Sequence, residues 1–372
     1  MTWVNLEKIH RTINSERSGF GGALVKAGLS LSSTLFGSAV NLRNLAYDWG
    51  ILPTSSSPIP CTVSIGNIQV GGSGKTPFTL MLAQHFQKSF HTAILSRGYR
   101  SAISHKASLV INDSLGIRYS ASFCGDEPYL LAQRMPDLPV IISQDRLKGA
   151  ALAATQGIEL LLLDDGFQHR RLARDFDIVL MDGSLPAESQ QLLPRGLLRE
   201  KPTALSRADL VVLTRSRNPS SLIEQLSHYT KAPIICADLE IAEICGWHAK
   251  VRTSLDSQKV ALFCGIANPS SFIHTVKGLG VNVVTQHIFA DHTSYNLSRM
   301  SQIALEAKKK GAVCLLCTEK DSVKILPWAN KLELPLVWPK MEMRITSGLN
   351  SWENWLNQVT ETAKRRRGCS FG

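Results

Sequence analysis

The sequence predicts an α/β fold: a doubly wound, mostly parallel sheet, a second smaller α/β domain, and an amphipathic helix ahead of both. Three observations predict it. Short apolar or β-branched runs alternate with helical patterns from Cys61 to Thr214, the rhythm of βαβ units on a parallel sheet. That rhythm breaks after about Asp238 and resumes with Val260 to Cys264. Ahead of both, Phe20 to Leu52 has a helical period and few charges. At 372 residues the chain accommodates two ordinary domains. A hydrophobic content of 44% against 19% charged describes a full core and excludes a disordered chain.

Taken in order, the first 19 residues are polar and mixed in charge, with Lys8, His10, Arg11 and Arg17. They lack the apolar run of a signal peptide. In the helical stretch, Leu24, Leu31, Leu35, Leu42 and Trp49 share one face, while Ser30, Ser33, Gly37, Asn41, Asn44 and Asp48 recur on the other. It ends in aromatics (Tyr47, Trp49), has flanking basic charge, and contains no fully apolar run of about 18 residues. This suits a helix lying in the plane of a membrane interface better than one spanning it. The pattern alone fits equally an amphipathic helix packed on the protein's own core. A Pro/Ser linker, Pro53 to Pro60, follows.

Cys61 to Pro77, CTVSIGNIQVGGSGKTP, is the stretch around which the chain is organised. Cys61 to Ile65 reads as a buried strand, and Phe78 to Phe90 as an apolar helix. Between them lie Gly66, Gly71, Gly72, Ser73, Gly74, Lys75 and Thr76. Strand, Gly-rich turn and helix is the context of a phosphate-binding loop, in which backbone N–H groups and a helix N-terminus cradle an anion. Lys75 would reach the β- and γ-phosphates of a nucleotide, and the Thr76 hydroxyl would ligate Mg²⁺. The first glycine of G-x-x-x-x-G-K-[ST] falls at position 69, which is Gln69.

Strands then follow at Thr92 to Leu95, Ser108 to Ile111, Pro139 to Ser143, Glu159 to Leu163, Asp177 to Met181 and Leu210 to Thr214, with a helix from Asp145 to Gln156. Such a sheet carries its site at the C-terminal strand edges. Beyond Asp238 a polar, irregular stretch runs to Gln258, and Val281 to Thr285 and Ala312 to Cys317 continue the second series. The boundaries read from this are a helix region at 1–52, a core at 53–240, a linker at 241–258, and a smaller domain with a basic tail at 259–372. The tail, Lys364 to Arg367, reads as a solvated end, or less readily as an electrostatic membrane contact.

The chemistry-bearing residues cluster at strand ends. Leu160 to Leu163 delivers Asp164 and Asp165, either of which would hold Mg²⁺ or its water opposite Thr76. His169, Arg170 and Arg171 would face anionic groups or solvent. Gly125-Asp126-Glu127-Pro128 opens an apolar helix. Asp126 there fits an N-cap and equally a hydroxyl-activating base. In Leu192 to Glu200, Arg195 and Arg199 would neutralise phosphate and Glu200 would complete a metal shell. Asp291-His292 at another strand end reads as a proton network. Thr318-Glu319-Lys320-Asp321 imitates a guanine-reading T-K-x-D with the lysine one place late, so GTP is not inferred.

GNIQVGGSGKTP, SRGY, GDEP, LDDGFQH, LLPRGLLRE, RADLVVLT, FCGIANP, FADH and TEKD, in this order, resemble the tetraacyldisaccharide 4′-kinase family of lipid A biosynthesis. Gln69 fits that family. Two positions depart from it: Leu197 replaces the usual proline of Gly-Pro-Leu-Arg-Glu, and Thr293 stands where a second histidine is common. The resemblance implies transfer of the ATP γ-phosphoryl group to the 4′-hydroxyl of a tetraacylated glucosamine disaccharide 1-phosphate. It implies work at the cytoplasmic face of the bacterial inner membrane. It also implies Asp126 as the base with His292, Lys75 on phosphate, and Thr76, Asp164, Asp165 and Glu200 around Mg²⁺, with Asp165 also in the catalytic set.

Composition agrees with that class of partner. A formal net charge of +11 suits an anionic substrate or surface, here the acylated disaccharide phosphate and the membrane, with no nucleic acid or protein partner implied. Eight cysteines lack a paired framework and read as reduced thiols of a cytosolic protein. Cys314 and Cys317 would point to opposite faces of one strand, which argues against a metal or redox pair. Two rival readings are a soluble phosphate-loop kinase of a small metabolite and a nucleotide-switched membrane scaffold. The Phe20 to Leu52 helix disfavours the first. The GDEP and Asp-His motifs disfavour the second, since a switch needs no base for an alcohol.

Overall fold

The computed structural model describes residues 20–99, 101–104, 107–113, 115–185, 190–216, 218–247 and 255–367. The expectations for residues 1–19 lie outside this set, as does part of the expected linker.

In chain order the elements are α1 (Phe20–Asp48), β1 (Cys61–Asn67), α2 (Lys75–Phe86), β2 (Thr92–Ser96), β3 (Ser108–Val110), β4 (Asn112–Asp113), β5 (Gly116–Ile117), α3 (Ala121–Cys124) and α4 (Asp126–Arg134). Next come β6 (Val140–Ser143), α5 (Arg146–Thr155), β7 (Leu160–Asp164), β8 (Phe176–Asp182), β9 (Leu210–Thr214), α6 (Pro219–Ser227) and β10 (Ile234–Trp247). The chain continues with β11 (Lys259–Cys264), α7 (Pro269–Lys277), β12 (Asn282–Ile288), α8 (Leu297–Lys309), β13 (Cys314–Leu316), α9 (Glu319–Ile325), β14 (Leu336–Ser347) and α10 (Leu349–Arg367).

Every residue of β1, β2, β6 and β7 is buried. Strands covered on both faces read as continuous apolar runs, so β1 and LLLLD of β7 are recognisable in sequence. They pair in parallel, Cys61 with Leu160 through Ile65 with Asp164. All but β4 and β5 lie in one twelve-stranded sheet, in the order β12-β11-β13-β14-β10-β9-β8-β1-β7-β2-β6-β3. The phosphate-loop strand sits between β7 and β8, so the loops after these three strands open on one edge.

Two features differ from the sequence reading. The segment read as irregular from Asp238, and as a linker from 241, is strand as far as Trp247, paired antiparallel with β14. Its acidic residues are accommodated because they face basic ones across the ladder: Glu243 meets Lys340 at 2.6 Å and Glu240 meets Arg344 at 3.2 Å. This β10–β14 ribbon joins the two halves of the sheet. The second difference is the tail. Lys364 to Arg367 form the last turn of α10, and Arg367 pairs with Glu159 at 2.6 Å while Arg366 pairs with Asp175. Helix α10 packs on the first half of the chain, where Trp352 meets Phe78 of α2 edge-on at 5.7 Å between ring centres. Trp352→Ala would cost about 3–5 kcal/mol there.

Cys314 and Cys317 are buried in separate clusters on the two faces of the sheet. The seven cysteines among the described residues form no disulfide with one another.

Helix α1 is inverted relative to a core-packed helix. Its polar face meets the protein: Ser33 donates to the Leu192 carbonyl at 2.8 Å, Asn44 to Glu200 at 2.6 Å, and Asp48 pairs with Arg170 at 2.6 Å. The apolar face points away. Leu31, Leu35, Leu42 and Trp49 are each 65–68% exposed.

Candidate active site

The loop after β1 is shaped by glycines where only glycine fits. Gly74, just before α2, has φ +85°, and a Cβ there would meet the Met343 methyl at 2.9 Å. Gly66 lets the turn after β7 lie against β1, since a Cβ would meet the Phe167 backbone nitrogen at 2.8 Å. The loop is held from several sides. Asn67 donates to Ser73 Oγ at 3.0 Å, and Thr214 to the Ser73 carbonyl at 3.2 Å. Val70 N–H bonds the Leu197 carbonyl, and Arg199 N–H the Ile68 carbonyl, each at 2.7 Å. Gln69 is buried and accepts from the Asp182 N–H at 2.8 Å. A glycine could not supply that bond, so the non-consensus residue has a structural reason.

Gly71, Gly72, Ser73, Gly74, Lys75 and Thr76 thus form the turn and first helical residues expected of an anion cradle. Lys75 Nζ lies 3.4 Å from Asp165. Asp165, in a left-handed conformation with φ 54°, also accepts Arg199 Nη1 on both oxygens at 3.0 Å. Burial alone would raise its pKa, but Lys75 and then Arg199 hold it well below the usual carboxylate range.

Asp164 is the opposite case. It is buried, Ser96 Oγ lies 3.4 Å from its Oδ2, and its Oδ1 has no hydrogen-bond partner. Burial, reinforced by the charges of Glu127 and Asp165, pushes it up to about 7. A buried carboxylate oxygen with no donor is a hard oxygen ligand of the kind that Mg²⁺ takes. Among the described residues no three His, Cys, Asp or Glu form a metal cage.

The buried Glu200 carboxylate accepts from Gln168 at 2.9 Å, Asn44 at 2.6 Å and Arg207 at 2.8 Å, so both oxygens are engaged. His169 is half-buried, and burial followed by the nearby Arg146 and Arg174 charges pushes it down to about 4. Arg170 lies over the Tyr47 ring and pairs with Asp48. Arg195 bonds Ser30. Arg170 and Arg195 therefore meet α1.

The second cluster joins the two halves of the sheet. Gly125, not Asp126, occupies the N-cap of α4, and no side chain caps it. The Asp126 carboxylate instead meets His292 Nδ1 at 3.1 Å and Lys324 Nζ at 3.0 Å. Burial opposes its ionisation, yet His292 and Lys324 outweigh it and hold Asp126 below its ordinary range. His292 follows β12 in a left-handed turn, φ 60°, its N–H bonded to the Gly265 carbonyl. Glu127 pairs with Lys320 at 2.9 Å and also feels Lys75, which ties this cluster to the phosphate loop. Sequence reasoning gave Lys324 no role and read Lys320 only as part of an imperfect guanine motif and of the TEKD signature. Their spacing of four on α9 places both on one helical face.

Residues 25–361 match the family described as tetraacyldisaccharide-1-P 4′-kinase. A protein named tetraacyldisaccharide 4′-kinase from Anaeromyxobacter dehalogenans (strain 2CP-C) is 38% identical over 322 residues, covering 84% of each chain. One of the same name from Geobacter metallireducens is 36% identical over 328 residues, covering 85% of this chain and 96% of its own. The crystal structure of LpxK from Aquifex aeolicus in complex with ATP superposes with a TM-score of 0.73 at 30% identity, over 91% of this chain and 99% of that one.

Proposed function

The chain belongs to the tetraacyldisaccharide-1-phosphate 4′-kinase family, and from that premise we propose how it works. It transfers the γ-phosphoryl group of ATP to the 4′-hydroxyl of a tetraacylated glucosamine disaccharide 1-phosphate, giving a lipid A precursor. The observation that carries the assignment of roles is the Asp126–His292 contact, joined through Glu127 to Lys75 of the phosphate loop.

In this reading the backbone of Gly71 to Gly74 and the start of α2 receive the phosphates, and Lys75 follows charge onto the transferring group. The O4′–H bond breaks with its proton passing to Asp126, the O4′–P bond forms, and the bond to the ADP oxygen breaks. Such transfers ask mainly for positioning and charge stabilisation. His292 and Lys324 orient the Asp126 carboxylate. Thr76, Asp164 and Asp165 would hold Mg²⁺, which neutralises charge developing on the phosphate oxygens. Lys75 and Arg199 neutralise Asp165 where no cation is bound. Glu200 is assigned to positioning and not to the metal shell, because three donors already engage it.

Helix α1 is taken to lie in the cytoplasmic face of the bacterial inner membrane. Among the described residues it alone is long and apolar enough to cross a membrane, and little of it is buried. A helix that docks by its polar face and exposes leucines is built for an apolar surface. A soluble small-molecule kinase would have no use for that face. The proposed working parts are α1 with the linker that follows, a core of 53–240 with α10 packed on it, and a smaller lobe from 259.

The test is ADP release from the full-length protein with and without added acyl-disaccharide 1-phosphate. Release that depends on the lipid supports this reading. Equal release without it would leave an ATPase and remove the acceptor assignment.

A further inference from the structure

Lys320 Nζ lies 2.9 Å from Glu127 Oε1 and 3.3 Å from His292 Nε2. An ammonium has only donors, so the ring nitrogen it faces must be the acceptor. The other ring nitrogen, Nδ1, faces a carboxylate oxygen of Asp126, which can only accept. One assignment satisfies both contacts: neutral His292 with its proton on Nδ1, donated to Asp126, and its Nε2 lone pair held by Lys320.

We propose that Lys320 is a positioning residue for the transfer step, fixing the tautomer and the ring orientation through which His292 holds Asp126. The inference rests on the phosphotransfer reading above. Every element around His292 is consistent with the need for such a group. Asp126 and Glu127 come from α4, Asp291 from its own loop, Lys320 and Lys324 from α9, and the Tyr99 ring packs edge-on at 5.7 Å. Glu127, Asp291 and Asp126 keep the Lys320 ammonium charged against its burial.

The position of Lys320 is itself fixed. Helices α4 and α9 run antiparallel, with Asp126 meeting Lys324, Glu127 meeting Lys320, and Arg134 meeting Glu319 at 2.8 Å. Arg134 and Glu319 are nearly buried, and Arg134 also reaches Glu342 of β14 at 3.5 Å. The lysine that reads as misplaced in a guanine motif is therefore aimed from the smaller lobe at the proton-transfer pair. Asp321 plays a separate part, since its carboxylate accepts from Gly265 N–H, Thr318 and Tyr295 and so braces the loop that leads to His292.

The test uses full-length protein with saturating MgATP and acyl-disaccharide 1-phosphate. It compares kcat, KM and Tm for wild type, Lys320→Met, Lys320→Arg, His292→Ala and the Lys320→Met/His292→Ala double variant. The expected results are a kcat loss of about 10- to 100-fold in Lys320→Met with KM for ATP little changed, and recovery of much of that loss in Lys320→Arg. The double variant should be no worse than His292→Ala alone. Wild-type kcat in Lys320→Met overturns the proposal. So does a fully multiplicative loss in the double variant, which would mean that Lys320 acts independently of His292. Should Lys320→Met not fold, Lys320→Leu, which also lacks every donor, takes its place, and wild-type kcat in that variant would overturn the proposal in the same way. Absence of transfer in the wild type would instead remove the phosphotransfer reading, so the two failures are distinct.

Discussion

His292 Nδ1 stands 3.1 Å from Asp126 Oδ2, although the residues are 166 positions apart and come from opposite halves of the sheet. Sequence left Asp126 divided between a helix cap and a base. With Gly125 at the cap position and the carboxylate turned to His292 and Lys324, the cap has no geometric support. Asp126→Asn should therefore keep the fold and its Tm, yet lower kcat roughly 10²- to 10⁴-fold, because an amide cannot take the proton. An unchanged kcat would falsify the base assignment.

Lys75→Ala removes the cation 3.4 Å from Asp165, which retains Arg199. Loss of a preorganised charge on the transferring group should cost on the order of 10²-fold or more in kcat. Near-normal turnover would mean that this loop is not where the phosphates sit.

The membrane reading is best tested on the exposed face of α1 and not by truncation, since removing the helix also strips Asn44 from buried Glu200. Leu31→Ser with Leu35→Ser and Leu42→Ser changes side chains that are 65–67% exposed. The triple variant should lose co-flotation with anionic vesicles and raise KM for the lipid more than for ATP, with Tm within a few degrees of wild type. Unchanged flotation would place the anchor elsewhere.

These sites were legible to different degrees, for physical reasons. Buried parallel strands such as β1 and β7 announce themselves as unbroken apolar runs, and the glycines of the phosphate loop have few other uses. The β10–β14 ribbon did not, because its acidic residues look like loop until Lys340 and Arg344 are placed opposite them. The two faces of α1 show in its residue pattern, but which of them docks does not. Glu200 carries the residue type of a metal ligand, and its three donors, two of them far away in sequence or on α1, could not be read from the sequence. Lys320 and Lys324 were hidden because their partners, Glu127 and Asp126, lie far upstream in the chain.

A pH dependence follows from His169, which burial, helped by Arg146 and Arg174, pushes down to about 4 from an ordinary 6.5. A folded-state pKa below the unfolded value means stability is full above pH 6.5 and is lost as pH falls through about 4. His169→Gln removes that group. Between pH 7 and pH 4 its stability should improve relative to wild type by on the order of 2 kcal/mol once partial solvent screening is allowed for, read as diverging Tm curves. Parallel curves across that window would show that His169 is not held neutral in the folded protein.

In the proposed reaction Asp126 takes the proton as a phosphoryl group passes from ATP to one hydroxyl of an acylated disaccharide. The most direct measurement incubates full-length protein with MgATP and tetraacyl-disaccharide 1-phosphate, then locates the new phosphate by ³¹P–¹H correlation on the purified lipid. Wild type should add one phosphate, on O4′, and Asp126→Asn should form the same product about 10²-fold or more slowly. Phosphate on another oxygen, no lipid product, or equal rates from the two proteins would contradict the claim.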